Sequence, residues 1–262
     1  KRLWIARDRL GIKPLVYFEY SRGFAFASDL NALAKHPSFK KEIDIDSLLL
    51  FFTLAYIPTP RTIWKNAKKL PPGHWLMVEN NKLIIEKYWQ VNAESHLNFN
   101  EDEFVDNIEK IFRNSIDLHS RSDVPVGTFL SGGLDSSAVT ALFCQRSNKK
   151  VHSFSMDFEG KDFNEGQFAR LVADRYNTKH HPYKLKLNQA LIELDELLPL
   201  MDEPMADSAI IPSYYLSKRA RQEGITVVLS GAGGDELFGG YKRHYRGKWD
   251  LVAGRLSGIS LS

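Results

Sequence analysis

Residues 125–137 read PVGTFLSGGLDSS, and the apolar run AVTALFC follows them at 138–144. The first six residues are typical of a buried strand, the two glycines predict a turn, and the apolar run predicts a helix. In such a unit the N–H groups of the turn and of the first helical turn point into one concavity, at the positive end of the helix dipole. The stretch therefore predicts an anion site; a tight turn capped by serines is the simpler alternative.

The aspartate in this turn indicates a cation. A carboxylate beside phosphate groups would repel them unless a positive ion lay between, and Mg²⁺ is commonly bound by one or two carboxylates together with phosphates. Asp135 is therefore a candidate Mg²⁺ ligand, and the hydroxyls of Ser131, Ser136 and Ser137 are candidate donors to the anion. The pattern is neither the Walker loop nor the dinucleotide-binding G-x-G-x-x-G.

A second glycine-rich turn, SGAGGDE at 230–236, follows a strand-like run at 225–229. If its strand is parallel to the first one in the same sheet, both loops emerge at the carboxyl edge, where open α/β sheets bind ligands. The two loops would then face one nucleotide. The acids Asp235 and Glu236 predict metal holding or orientation there; the alternative is that they only balance a helix dipole.

Two patterns divide the chain. Over the first 90 residues, short apolar runs separated by Gly, Pro, Asn and Asp predict antiparallel strands, with a hairpin turn at ENNK, 79–82. Beyond Asn100, strand-like and helix-like runs alternate, which predicts a parallel sheet with helices on both faces. The predicted fold class is therefore α/β with an α+β N-terminal part, and the polar stretch before Asn100 separates predicted domains at 1–92 and 93–262.

The later elements can be placed individually from their periodicity. The predicted strands are 124–130, 151–156, 178–185 and 225–229. The predicted helices are 101–120, 135–146, 164–176, 188–198 and 209–222.

Composition and charge exclude several classes of protein. The 262 residues are 43% apolar with a net charge of +3, which is ordinary for a globular chain and does not indicate nucleic acid as a partner. No uncharged stretch approaches the roughly 18 residues of a membrane span, and the N-terminal sequence Lys-Arg-Leu-Trp lacks the apolar region of a signal peptide, so we expect a cytoplasmic protein. The single cysteine, Cys144, excludes an internal disulfide and a cysteine-cluster metal site. Because the chain begins at Lys1 in strand-like sequence, we expect a fragment.

Other polar groups have simpler interpretations. His180 and His181 are adjacent in a predicted strand and face opposite sides, so they do not predict a metal shared between them. A basic stretch after the second turn predicts a solvated face, with assistance to phosphate as the alternative. Its members are Lys242, Arg243, His244, Arg246 and Lys248.

The two glycine-rich turns carry a resemblance to a known family. SGGLDSS at 131–137 with SGAGGDELFGGY at 230–241 resembles the glutamine-dependent asparagine synthetases, whose synthetase domain belongs to the ATP-pyrophosphatases. Three stretches resemble the end of that family's N-terminal-nucleophile glutaminase domain: ARDRLGIKPL at 6–15, FASD at 26–29 and LPPGH at 70–74. The resemblance implies the end of a type 2 glutamine amidotransferase sandwich over 1–92 and the start of a doubly wound pyrophosphatase domain over 93–262.

The resemblance also implies an ATP site with Mg²⁺ as cofactor. The residues that would hold the pyrophosphate portion lie in the first turn: Ser131, Gly132, Gly133, Asp135, Ser136 and Ser137. Asp135 and Asp235 would share the metal, and Asp235 and Glu236 are the catalytic candidates. The remaining contacts would be Phe129 and Met156, at strand ends, on adenine, and Ser230 and Gly231 on the nucleotide.

The implied reaction adenylates the side-chain carboxylate of aspartate with release of pyrophosphate, after which ammonia from glutamine displaces AMP. The implied partners are the small molecules ATP, glutamine and aspartate, without nucleic acid or membrane, and the resemblance allows a homodimer of the full-length parent.

The sequence departs from the family pattern at several points. The family's nucleophilic cysteine and glutamine-binding residues are expected before the segment given, and its later catalytic lysine after Ser262. Ala232 stands where asparagine-forming members often carry an acid, and DEPMADSA at 202–209 stands where they carry a Thr-Thr-Ile-Arg segment near the acceptor. Two alternatives therefore stay open: amidation of another carboxylate, and a non-catalytic nucleotide-binding relative.

Overall fold

A computed structural model of the chain describes residues 2–21, 23–80, 82–92, 100–158, 165–185 and 194–241. These residues form two compact units. The first contains the residues up to Asn92 together with 194–208, and the second contains the described residues of 100–185 together with 209–241. None of the helices within these ranges combines the length and the apolar character that crossing a membrane requires.

The strands, in chain order, are β1 (Arg2–Ala6), β2 (Val16–Tyr20), β3 (Gly23–Ala27), β4 (Ala67–Lys69), β5 (His74–Glu79), β6 (Lys82–Lys87), β7 (Val126–Phe129), β8 (His152–Phe158), β9 (Lys179–Leu185) and β10 (Val227–Leu229). The helices are α1 (Leu30–Leu33), α2 (Ile45–Leu54), α3 (Glu101–His119), α4 (Leu134–Arg146), α5 (Gly166–Arg175), α6 (Leu194–Leu197), α7 (Ile210–Gln222) and α8 (Gly234–Phe238). Of the helix predicted over 188–198, the residues before 194 lie outside the described part of the chain.

The first unit contains two antiparallel sheets, with strand orders β1-β5-β6 and β3-β2-β4. Strand β2 has both faces buried, because alternate side chains point to opposite sides of a sheet. Tyr17 packs with Leu76 in the cluster shared by the two sheets, whereas Phe18 packs against Leu30 of α1. The predicted hairpin is confirmed: β5 pairs with β6, Glu79 lies opposite Lys82, and Asn80 adopts a left-handed conformation.

Residues 194–208 pack against the first unit. The backbone N–H of Leu30 donates to Oδ2 of Asp202 at 3.1 Å, and the N–H of Ala206 donates to the carbonyl of Ala55 at 2.8 Å. Lys69 forms an ion pair with the largely buried Glu203, and burial raises the pKa of that carboxyl group. The sequence pattern did not predict that this segment belongs to the first unit.

The second unit is built on a parallel sheet with the strand order β10-β7-β8-β9. Helices α3 and α4 cover one face, where Ile116 and Phe143 pack together with Leu229. Helix α7 covers the other face, where Leu216 packs on Phe154. This arrangement confirms the predicted α/β class with helices on both faces. Cys144 packs at the margin of the first of these clusters, and burial raises the pKa of its thiol.

Strands β7 and β10 are parallel neighbours, with Val228 opposite Gly127 and Leu229 opposite Thr128. The turn after each strand therefore leaves the sheet at the same carboxyl edge. We call residues 131–133 the first loop and residues 230–233 the second loop.

Candidate functional site

The first loop is shaped by Gly132, whose φ of +87° is a left-handed conformation that glycine adopts without strain. A Cβ at this position would lie 2.6 Å from the backbone nitrogen of Ala169 and 2.7 Å from Cβ of Phe168, both on α5. The loop thus passes close against α5, and only the absence of a side chain permits that approach.

Serine hydroxyls close the first loop onto the start of α4. Oγ of Ser136 accepts a hydrogen bond from the N–H of Ser131 at 3.1 Å and lies 2.9 Å from Oγ of Ser131. Oγ of Ser131 in turn accepts from the N–H of Gly133 at 3.2 Å. These bonds fix the turn at the N-terminus of α4, where the helix dipole favours an anion.

The second loop lies directly against that helix start. A Cβ on Gly231 would approach the backbone nitrogen of Ser136 to 2.7 Å, and a Cβ on Gly234 would collide with the carboxyl group of Asp135. The N–H of Ala232 donates to Oγ of Ser230 at 3.3 Å, which holds the second loop in shape. The predicted meeting of two glycine-rich loops at one sheet edge is therefore present in the structure.

A cavity of about 810 Å³ lies between the two loops and the start of α7, within the size range of small-molecule sites. The predicted site residues that line it are Phe129, Ser131, Gly133, Asp135, Ser136, Met156, Gly231 and Asp235. Phe129 and Met156 also belong to the apolar cluster beneath α7, so this end of the cavity is apolar while the loop end is polar. One detail of the prediction is wrong: β8 continues to Phe158, so Met156 lies within the strand rather than at its end.

The cavity also has lining residues that were not among the predicted site residues. They are Leu130, Leu134, Glu165, Ala209, Pro212, Ser213, Leu216, Ala232, Gly234, Phe238 and Gly240. Several of them lie at the start of α7, which precedes β10. A helix that leads into a parallel strand begins at the carboxyl edge of the sheet, so crossover geometry was the signal that could have placed them.

Four predicted site residues are not among the lining residues. Gly132 packs against α5, the hydroxyl of Ser230 supports the second loop, and the carboxylate of Glu236 accepts a hydrogen bond from the hydroxyl of Tyr241 at 2.7 Å. The hydroxyl of Ser137 is buried and meets no hydrogen-bond partner in the ranges that the structure describes. The basic residues at 242–248 fall outside those ranges.

The donor set at the loops fits a Mg²⁺ ion that binds together with phosphate. The half-buried Asp135 and Asp235 both line the cavity, one from each side of the loop pair. Among the described residues, the carboxylates here do not assemble into a group of three or more close ligands. Magnesium accepts such a site, because it uses one or two carboxylates and completes its shell with phosphate oxygens and water.

Comparison with known proteins gives matches over nearly the whole chain. Residues 107–257 match the profile described as asparagine synthase, and residues 1–89 match the profile described as a glutamine amidotransferase domain.

Three relatives extend this result. The chain is 37% identical over 250 residues to a Methanocaldococcus jannaschii protein described as a putative glutamine-hydrolysing asparagine synthetase 2, with 94% of this chain and 48% of that one covered. Glutamine-hydrolysing asparagine synthetases 3 and 1 of Bacillus subtilis are 34% and 33% identical to this chain. Each match covers 91% of this chain, and the matches cover 41% and 37%, respectively, of the two Bacillus proteins. The chain thus spans less than half the length of these curated relatives.

Proposed function

The chain belongs to the asparagine synthase family, and we propose that the protein containing it uses ATP to amidate a carboxylate with nitrogen taken from glutamine. The proposed acceptor is aspartate and the proposed product asparagine. One observation carries the proposal: the second loop lies against the N-terminus of α4, so that two glycine-rich loops and two carboxylates border one cavity. We also propose a cytoplasmic location, as the composition predicts.

In this proposal the triphosphate of ATP lies along the two loops. The N–H groups at the start of α4 would donate to phosphate oxygens, and the lack of side chains at Gly133 and Gly231 lets the nucleotide approach the backbone. The adenine would occupy the apolar end of the cavity, between Phe129 and Met156. The split between a polar and an apolar end gives the nucleotide one favoured orientation.

Asp135 and Asp235 are the residues that would hold Mg²⁺, which when bound offsets the charge that develops on the phosphates. The fixed N–H groups of the loops serve the same purpose without having to reorient during the reaction. The chain's own contribution is thus to align the α-phosphate with the acceptor and to stabilise the leaving pyrophosphate.

The proposed chemistry has two steps. A carboxylate oxygen of the acceptor attacks the α-phosphorus, and the bond between that phosphorus and the bridging oxygen breaks with release of pyrophosphate. Ammonia then attacks the acyl carbon, the carbon–oxygen bond breaks, AMP leaves with the electron pair, and the nitrogen loses a proton. The carboxylate of Glu236 accepts a hydrogen bond from the hydroxyl of Tyr241 and does not line the cavity. We therefore assign the acceptance of that proton to water or to the leaving phosphate.

Pyrophosphate release tests the proposal. We expect the full-length protein to release pyrophosphate from Mg²⁺-ATP when both aspartate and glutamine are present, and Asp135→Asn to abolish most of this release because it removes a carboxylate at the cavity. Phosphate-coupled spectrophotometry measures the release, and chromatography identifies the amide.

A panel of other carboxylates separates the alternatives. Pyrophosphate release with another acid but not with aspartate would mean that this other acid is the acceptor, and the proposed ATP chemistry would stand. Intact ATP binding without release for any acceptor would instead support a non-catalytic nucleotide-binding protein.

Ala232 provides a second test. Its methyl group lines the cavity and can neither accept a proton nor orient an amine. Because the loops and the two aspartates would supply positioning and charge stabilisation, we expect Ala232→Glu to change the rate of pyrophosphate release by no more than about tenfold to a hundredfold, roughly 1.4 to 2.7 kcal/mol of barrier. A loss of all activity, or an increase beyond this range, would mean that the side chain at 232 controls the chemistry.

A further inference from the structure

A cluster of metal-binding side chains lies at the amino edge of the parallel sheet, opposite the edge that carries the two loops. His152 begins β8, His181 lies in β9, and Glu223 directly follows α7, which descends to this edge. Residues 152 and 181 point to the face of the sheet that α7 covers, because each is an even number of positions from a side chain packed there, Phe154 and Tyr183 respectively. We call these three residues the two-histidine cluster.

The ligand atoms of the cluster converge. Nδ1 of His152 lies 3.2 Å from Nε2 of His181, and Nδ1 of His181 lies 3.6 Å from Oε1 of Glu223. One ligand atom from each residue can be chosen so that all three atoms lie within 4.8 Å of one another. In the described ranges, no other three or more His, Cys, Asp or Glu residues bring their ligand atoms this close together. Zinc bonds of about 2.1 Å in a tetrahedron place neighbouring ligand atoms about 3.4 Å apart, so the side chains of His152 and Glu223 would have to move closer to one nitrogen of His181 when a metal binds.

We propose that the two-histidine cluster binds a divalent transition metal of the Zn²⁺ type. Two imidazole nitrogens and one carboxylate oxygen are ligands that suit zinc, whereas Mg²⁺ and Ca²⁺ favour sites made of oxygen. Three protein ligands leave a fourth position for water. The site is separate from the ATP site proposed above and does not depend on it.

The surroundings hold one of the ligands in place. The ring of His181 stacks on Phe154 with a centroid separation of 4.8 Å and an angle of 14° between the planes. The position of this ligand is therefore fixed before a metal arrives.

A second cavity borders one residue of the cluster. It has a volume of about 680 Å³, lies at the amino edge of the sheet, and is lined by His152 together with Val151 and Ile225, but not by His181 or Glu223. His152 is half-buried, so part of this residue is exposed to solvent. Metal sites need an entry path, and the exposed part of His152 is where one would begin.

Two cations compete for the carboxylate. Arg219 donates to Oε1 of Glu223 at 2.7 Å, and Nζ of Lys179 lies 3.6 Å from Oε2. A bound metal has to share Glu223 with them, and both cations repel it. Removing the exposed charge of Lys179 should therefore strengthen metal binding, which is a response that a purely structural ion-pair cluster would not give.

The experiment is titration calorimetry of Zn²⁺ into the full-length protein, with excess Mg²⁺ present to saturate oxygen-only sites. We expect one tight site, a Kd weakened at least tenfold by His152→Gln and by Glu223→Gln, and a Kd lowered severalfold by Lys179→Met. His119→Gln is the matched control, because this exposed histidine lies on α3 outside the cluster and should leave the Kd unchanged.

Substitution of Co²⁺ adds a spectroscopic readout, since the visible absorption of a four-coordinate nitrogen and oxygen site should be lost in His152→Gln. Circular dichroism of each variant establishes that it is folded. Absence of tight Zn²⁺ binding, or equal affinity of the protein and folded His152→Gln, would overturn the proposal, as would weaker binding by Lys179→Met.

Discussion

Replacing Asp135 by alanine is expected to weaken the binding of Mg²⁺-ATP by roughly a hundredfold, about 2.7 kcal/mol. The carboxylate lines the cavity at the N-terminus of α4, against Gly234 at the start of α8, where it would anchor the ion that accompanies the phosphates. The backbone donors of both loops stay in place, which limits the loss to this size. Calorimetric titration of the full-length protein with Mg²⁺-ATP measures the difference.

Asp174→Ala is the matched control for this change. Asp174 is exposed on α5 in the same unit and does not line the cavity, so the variant should bind Mg²⁺-ATP as the parent does. The same titration with EDTA in place of Mg²⁺ should reduce the gap between the parent and Asp135→Ala. If Asp135→Ala bound Mg²⁺-ATP with the affinity of the parent, the residue would not be part of the metal site.

Replacing Gly132 by alanine is expected to lower the free energy of unfolding by about 2 to 5 kcal/mol. A side chain in the left-handed conformation costs roughly 1 to 2 kcal/mol, and a Cβ pressed against the backbone of α5 adds a further 1 to 3 kcal/mol of overpacking. Because the first loop would have to move away from Ala169, the affinity for ATP should fall as well. Urea denaturation followed by circular dichroism measures the change in stability.

Gly224→Ala separates the cost of the left-handed conformation from the cost of overpacking. Gly224 has a φ of +77°, close to that of Gly132, but a Cβ there would meet nothing within 4 Å. This variant should lose only the conformational part, about 1 to 2 kcal/mol, and keep the ATP affinity of the parent. Equal destabilisation by the two substitutions would contradict the close packing of the first loop on α5.

The sequence alone allowed prediction of the parts of the fold that depend on local pattern. The glycine pairs at 132–133 and 233–234 identified the loops, and the alternation of strands and helices implied that both turns leave the sheet at one edge. The structure adds that β7 and β10 are direct neighbours, which is why Gly231 can touch the start of α4. Strand order is a property of the whole sheet, and no local pattern encodes it.

Other features could not be predicted, each for a physical reason. Strand β4 reads Ala-Lys-Lys, which is too short and too charged for a strand pattern, and it is held by pairing with β2. Glu236 lies outside the cavity lining and accepts a hydrogen bond from Tyr241, a contact that charge pattern does not reveal. His152, His181 and Glu223 are far apart in sequence and meet only because β8, β9 and α7 share one edge.

The packing of residues 194–208 on the first unit has a consequence for synthesis on the ribosome. The last strand of this unit, β6, ends at Lys87. Asp202, which binds the N–H of Leu30, and Glu203, which binds Lys69, are translated only after the intervening chain. At 5 to 20 residues per second this delay is on the order of 5 to 20 seconds. During this time the N–H of Leu30 and the ammonium group of Lys69 lack these acidic partners, because most of the parallel-sheet unit is translated first. A gene cut after residue 92 would encode a nascent chain that never receives them.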